Sequence, residues 1–140
     1  MQAPTRKSTS YFGGVRVNDG TFACCQFDLF DAESFIVFLE TLLKHRGRGK
    51  KALVILDNAR YHHAEEVYEW LKKNRNKIEL LFLPPYSPEL NPIERVWKLT
   101  RRLCTHNRYF EALDDLVAVV EKLFIEWCRP NDVLRKLCAI

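Results

Sequence analysis

The run Ala52-Leu53-Val54-Ile55-Leu56, five apolar residues that stop at Asp57, constrains the fold of this chain more than any other feature. It is too short for an ordinary helix and shows no polar alternation, so it reads as a strand buried on both faces. Residues 78–83 repeat the pattern. Between the two runs, residues 62–74 place Ala64, Val67 and Leu71 at helical spacing. Strand, helix and strand in this order predict a right-handed parallel crossover inside a layered α/β domain.

Upstream, residues 11–17 and 21–27 are β-prone and flank Asn18-Asp19-Gly20, a turn signal that predicts a hairpin. Asp31 suits an N-cap, and Phe35, Phe38, Leu39, Leu42 and Leu43 recur at helical spacing until Arg46-Gly47. Pro84-Pro85-Tyr86-Ser87-Pro88 forbids regular structure. A helix is predicted from Asn91, with Ile93, Val96, Trp97, Thr100, Leu103 and Cys104 inward. A last helix over residues 110–128 is expected to bury Leu113, Leu116, Val120, Leu123, Phe124 and Trp127. Residues 1–10 read as a polar lead, 11–128 as one core and 129–140 as a C-terminal tail, together a single partial domain.

A chain of 140 residues with 47% hydrophobic content is expected to fold as one globular unit. The formal charge of +4 permits an anionic partner without requiring one. Five cysteines, an odd number without framework spacing or a CxxC pair, argue against a disulfide scaffold. The first ten residues lack the apolar stretch of a signal peptide, and no run approaches membrane-spanning length. A soluble, cytoplasmic protein with no membrane partner is expected.

Asp57 ends a strand, the place where ligand-binding groups gather in open α/β sheets. An Asx turn or a cap for the next helix explains an acid there equally well. Glu94 has a similar alternative: Asn91 at the N-cap, Pro92 at N1 and Glu94 at N3 form a capping-box pattern, in which the glutamate reaches back to the cap's own N–H. His62, His63, Cys104 and His106 show no recognised zinc-ligand spacing.

The two segments Leu53-Val54-Ile55-Leu56-Asp57-Asn58-Ala59-Arg60-Tyr61-His62 and Leu83-Pro84-Pro85-Tyr86-Ser87-Pro88-Glu89-Leu90-Asn91-Pro92-Ile93-Glu94-Arg95-Val96-Trp97 resemble the two hallmark blocks of mariner-type DDE transposases of bacterial insertion sequences. That resemblance, looser over residues 11–43, implies a ribonuclease-H-like mixed sheet flanked by helices. It implies that Asp57 and Glu94 are two of three metal-binding acids for Mg2+ or Mn2+. Asn58, His62 and Asn91 are then expected beside the metals, with capping and helix-start duties as the alternative. The implied activity is DNA transposition, in which water or a DNA 3′-hydroxyl attacks a phosphate between two cations about 4 Å apart. Transposon-end and target DNA are the implied partners, with a homodimer in the full-length protein and a nucleoid-associated location in a bacterium.

In the resembled fold a central strand ahead of the hairpin carries the first acid. Asp19, Asp28 and Asp31 follow no buried strand, so none replaces it. The chain is therefore expected to be N-terminally truncated, with unpaired sheet edges and complementation by an upstream product. The alternative function is a catalytically incomplete fragment that binds DNA or oligomerises. Arg95, Lys98, Arg101 and Arg102, opposite the inward stripe, are the expected phosphate contacts, with an ordinary solvated helix face as the competing explanation. The loop of Lys44, Arg46, Arg48, Lys50 and Lys51 is a second basic cluster.

Overall fold

A computed structural model describes residues 10–85, 87–104 and 112–140. The polar lead, Tyr86, His106 and the start of the last predicted helix lie outside the described residues. Strands β1 (Ser10–Val15) and β2 (Phe22–Phe27) form an antiparallel hairpin in which Phe12 faces Cys25. Its turn is held by two bonds between Arg16 and the far side: Gly20 N–H to the Arg16 carbonyl at 2.7 Å and Arg16 N–H to the Thr21 carbonyl at 2.8 Å. Gly20 sits at φ +79°, and a Cβ there would lie 2.3 Å from the Asn131 carbonyl oxygen, so only glycine fits.

Helix α1 (Ala32–Leu43) begins with a reciprocal cap: Ser34 N–H donates to Asp31 Oδ1 at 2.8 Å, and Asp31 N–H donates to the Ser34 hydroxyl at 2.9 Å. Strands β3 (Ala52–Leu56) and β4 (Ile78–Phe82) pair in parallel, as a crossover requires, and are joined through α2 (Glu65–Lys73). Helices α3 (Pro92–Cys104), α4 (Leu113–Trp127) and α5 (Asp132–Leu137) follow. The result is a mixed α/β fold with two separate two-stranded sheets, β1-β2 and β3-β4, flanked by helices.

Two apolar cores hold these pieces together. Phe12 joins Phe35, Phe38, Leu39, Leu56, Val67 and Ile78, which link the hairpin to α1, α2 and the parallel pair. Tyr11 and Phe22 pack instead with Val96, Phe124, Trp127 and Leu134 of the three C-terminal helices. Neighbouring β1 residues thus enter opposite layers, as period-2 geometry dictates. No described helix is long and apolar enough to cross a membrane.

Several expectations are corrected. Leu53 is 59% exposed, so the β3 run is not buried on both faces; no layer covers Leu53 and Leu81 opposite α1. The helix expected over 62–74 starts at Glu65. His62 lies in a separate 3-10 turn, Arg60–His63, because Ala64 is extended and interrupts it. β1 stops at Val15, since Arg16 already serves the turn. On α3, Leu99 is buried and Leu103 is 48% exposed. On α4 only Phe124 and Trp127 of the expected set are buried, the others being half-buried. Residues 129–140 carry α5, whose Leu134 and Cys138 are fully buried. Its cap, Asn131, donates its backbone N–H to the Asp19 carbonyl at 2.9 Å and its side-chain amide to the Gly20 carbonyl at 2.9 Å, docking α5 on the hairpin turn.

Gly20→Ala is expected to lower stability by more than about 1 kcal/mol, read as a shift in urea midpoint, because the new Cβ meets the Asn131 backbone at a positive φ. Arg16 grips Asp19 through two nitrogens at 3.0 and 2.7 Å, and these bonds hold the Asp19 carboxyl at about 2, below its usual 3.8. The folded value is depressed, so the stabilisation is present above pH 4 and is lost as pH falls towards 2. The melting-temperature difference between the native chain and Asp19→Asn is expected to shrink across that window. A difference independent of pH would contradict it.

Candidate functional site

The last rung of the parallel pair is Leu83 N–H to the Leu56 carbonyl at 2.8 Å, and the chain leaves β3 at Asp57 with its side chain 68% exposed. Ala59 N–H donates to Asp57 Oδ1 at 3.3 Å, so the Asx turn that sequence allows is formed. It engages one carboxylate oxygen. Below it, the His62 ring is 6% exposed, stacked against Phe35 at 4.3 Å between centroids. Its Nδ1 lies 3.0 Å from the Asp57 carbonyl and 3.5 Å from Asp57 Oδ1. Two acceptors at one nitrogen place the proton on Nδ1. Burial pushes the His62 pKa down, which keeps the ring neutral. Asn58 joins the loops after β3 and β4, donating its amide to the Leu83 carbonyl at 2.5 Å and approaching His63 Nε2 with Oδ1 at 3.2 Å.

Glu94 stands in the first turn of α3. The capping box suggested by the sequence is not made. Asn91 N–H donates to the Pro88 carbonyl at 3.0 Å, and the short 3-10 turn Pro88–Leu90 thereby occupies the donor the glutamate would have taken. Buried Asn91 starts the helix itself: Ile93 N–H donates to Asn91 Oδ1 at 3.3 Å and Glu94 N–H to the Asn91 carbonyl at 3.0 Å. The Glu94 carboxylate makes no hydrogen bond or ion pair among the described residues.

Asp57, Asn91 and Glu94 border two adjoining cavities. One, about 410 Å3, is shared with Asn58, Ala59 and the Leu83-Pro84-Pro85 loop; the other, about 570 Å3, runs on between β1 and β3. The fold therefore brings Asp57 and Glu94 to the rim of the same space. Among the described residues no three His, Cys, Asp or Glu groups gather as a metal site.

Arg95, Lys98, Arg101 and Arg102 are all exposed on α3. Arg95 has a structural duty, donating to the carbonyls of Leu137 at 3.1 Å and Ala139 at 3.2 Å beyond the end of α5. In the second basic cluster Lys51 pairs with Glu79 at 3.0 Å. Sequence reading passed over Arg16, which also donates to the His45 carbonyl and so closes the basic end of the larger cavity. Nothing local in the sequence signals a contact across 29 residues.

Comparison with known proteins follows the same lines. The family model described as DDE superfamily endonuclease matches residues 1–117. An uncharacterized protein of Sinorhizobium fredii (strain NBRC 101917 / NGR234) is 36% identical over 106 residues, 76% of this chain and 75% of that protein. The insertion element IS630 uncharacterized 39 kDa protein of Shigella sonnei is 29% identical over 118 residues, 84% of this chain; the chain spans about a third of that protein, 34%. The crystal structure of the catalytic domain of Mos1 mariner transposase superposes with a TM-score of 0.63 at 17% identity, over 93% of this chain and 73% of that one, which shows a shared fold.

His62→Ala removes a buried ring and leaves the Asp57 carbonyl without its partner. A loss of about 2–4 kcal/mol is expected in chemical denaturation, together with faster exchange at the Ala59 amide. An unchanged Ala59 amide would show that His62 does not hold the Asp57 turn.

Proposed function

The chain belongs to the DDE superfamily endonuclease family, and from that membership we propose that it acts in DNA transposition as a catalytically incomplete segment, which binds DNA or associates with other transposase chains and does not cut DNA alone. The observation that carries this reading is a pair of carboxylates, Asp57 and Glu94, on one cavity with no third acid beside them among the described residues.

Asp57 and Glu94 are the donors of the proposed site. Carboxylate oxygen is the ligand type that magnesium and manganese take, and one oxygen of Asp57 and both of Glu94 have no partner among the described residues. The donors fit a cation in kind; two are too few to fix a pair of them. When bound in such a site, divalent ions stabilise the attacking and leaving oxygens at a phosphate. The chain's own residues do the rest: His62 holds the Asp57 turn, Asn58 ties that turn to the loop after β4, and Asn91 starts α3 so that Glu94 faces the cavity. Lys98, Arg101 and Arg102 lie on the same helix as Glu94 and are the proposed phosphate contacts, with Arg95 contributing what its α5 bonds leave.

Purified chain mixed with labelled transposon-end duplex in Mg2+ or Mn2+ is expected to bind with steep salt dependence and leave both strands intact. Lys98→Ala is expected to weaken binding to all sequences alike and to lower the slope of log affinity against log salt by about 0.9. Nicking that needs the metal and disappears in both Asp57→Ala and Glu94→Ala would instead establish the complete strand-transferase activity. Absence of DNA binding at low salt would remove the DNA reading.

A further inference from the structure

The larger cavity is lined by every residue from Tyr11 to Val15 on β1 and every residue from Ala52 to Asp57 on β3. Successive strand side chains point to opposite faces, so a cavity over one face touches alternate residues. Lining by consecutive residues on both strands places it along their edges. β1 is bonded only to β2 and β3 only to β4. Their other edges face one another across this space, and within the described residues no backbone bond from elsewhere reaches them between Tyr11 and Val15 or between Leu53 and Ile55.

The surroundings specify what fits. Phe35, Phe38 and Leu39 of α1 close one side, and Ile93 and Trp97 of α3 close the other, so an occupant meets apolar layers on both faces. A helix is about 10–12 Å across and has spent its own backbone donors, which leaves both edges unsatisfied. An extended segment satisfies both at once. The bounding strands have six and five residues, which sets its length. They run in opposite senses: the C-terminal end of β1 meets the approach to β3 through Arg16 and His45, while Phe12 packs on Tyr61 beyond the end of β3 at 5.8 Å. The occupant is then parallel to one neighbour and antiparallel to the other.

We propose that this cleft is a strand acceptor, which takes one extended segment of about five or six residues, apolar on both faces, from another polypeptide and joins the two pairs into a single five-stranded sheet. The chain's own residues 1–9, with Pro4, Arg6, Lys7, Ser8 and Thr9 among them, lack the apolar character on both faces that the walls demand. Lys50 and Arg16 at one mouth and Asp57 and Glu94 at the other match a segment with an acidic residue at one end and a basic residue at the other. This inference uses the backbone edges and needs neither DNA nor metal, so it fails independently of the functional reading.

The test is hydrogen exchange on the whole chain, without DNA or divalent ions, in the presence of the synthetic peptide acetyl-Glu-Val-Ile-Val-Leu-Lys-amide or its reversed sequence. The controls are the same peptides N-methylated at alternate residues, which removes backbone donors and leaves the side chains. At ten times the dissociation constant, one of the two unmodified peptides is expected to slow exchange about tenfold at the β1 and β3 amides not bonded to β2 or β4, with one peptide per chain and a higher melting temperature. Equal effects from the N-methylated control would overturn the proposal. So would protection confined to the outer edges of β2 and β4, no binding by either peptide, or a self-dimer in which those amides are already protected without peptide.

Discussion

The backbone of β1 and β3 is hydrogen-bonded along one edge only, and the arrangement of everything around them follows from that. A buried donor or acceptor left without a partner costs about 1–3 kcal/mol, so these edges need either water or another backbone. The two strand pairs cannot position each other through a ladder; side chains do it instead. Phe12 carries the hairpin into the α1 layer, Tyr11 and Phe22 carry it into the C-terminal helices, and Arg16 bridges to the His45 carbonyl. Gly13 and Gly14 let both layers close on β1. A Cβ at Gly13 would lie 2.3 Å from the Trp97 ring, and one at Gly14 would lie 3.1 Å from Leu42.

Local signals were readable wherever a short segment decides its own conformation. Asn18-Asp19-Gly20 specified the hairpin turn, Asp31 the start of α1, and the two apolar runs the parallel pair. What the sequence hid was set by distant partners. Leu53 is as apolar as its neighbours, yet its exposure depends on whether a layer lies over that face of β3, a fact written nowhere near it. Leu103 and Leu99 are equivalent by composition, and the rotation of α3 against α4 and α5 decides which is buried. The last twelve residues looked like a tail because α5 is only six residues long; its stability comes from Leu134 in the core and Asn131 on the hairpin turn.

The candidate site divides in the same way. The place of Asp57 was legible because a strand end is a local feature, and so was the Asx turn that competes for its carboxylate. The choice for Glu94 was not legible, since the capping box and the open carboxylate share one sequence pattern. Pro88 decides it by taking the Asn91 N–H first. The basic strip on α3 was visible as a helical face, but the diversion of Arg95 to carbonyls 42 and 44 residues away was not. Residue identity thus announced which chemistry was present, and backbone bonding between loops determined which groups were left to perform it.

The incomplete site and the incomplete sheet meet at Asp57. On its β4 side the residue is pinned three times over: Leu83 closes the ladder, Asn58 ties the neighbouring loop, and the His62 ring holds the Asp57 carbonyl. On its β1 side the edge is open, and there the carboxylate that shares the cavity with Glu94 is 68% exposed. A catalytic group must be fixed to within about 0.5 Å by supports on all sides, so a site pinned from one side is preorganised by half. Filling the cleft between β1 and β3 would supply backbone contacts on the remaining side of the same residue. The gap in the sheet and the want of a further ligand are therefore two consequences of one open edge, which is why a chain with both carboxylates in place is better suited to holding DNA than to cutting it.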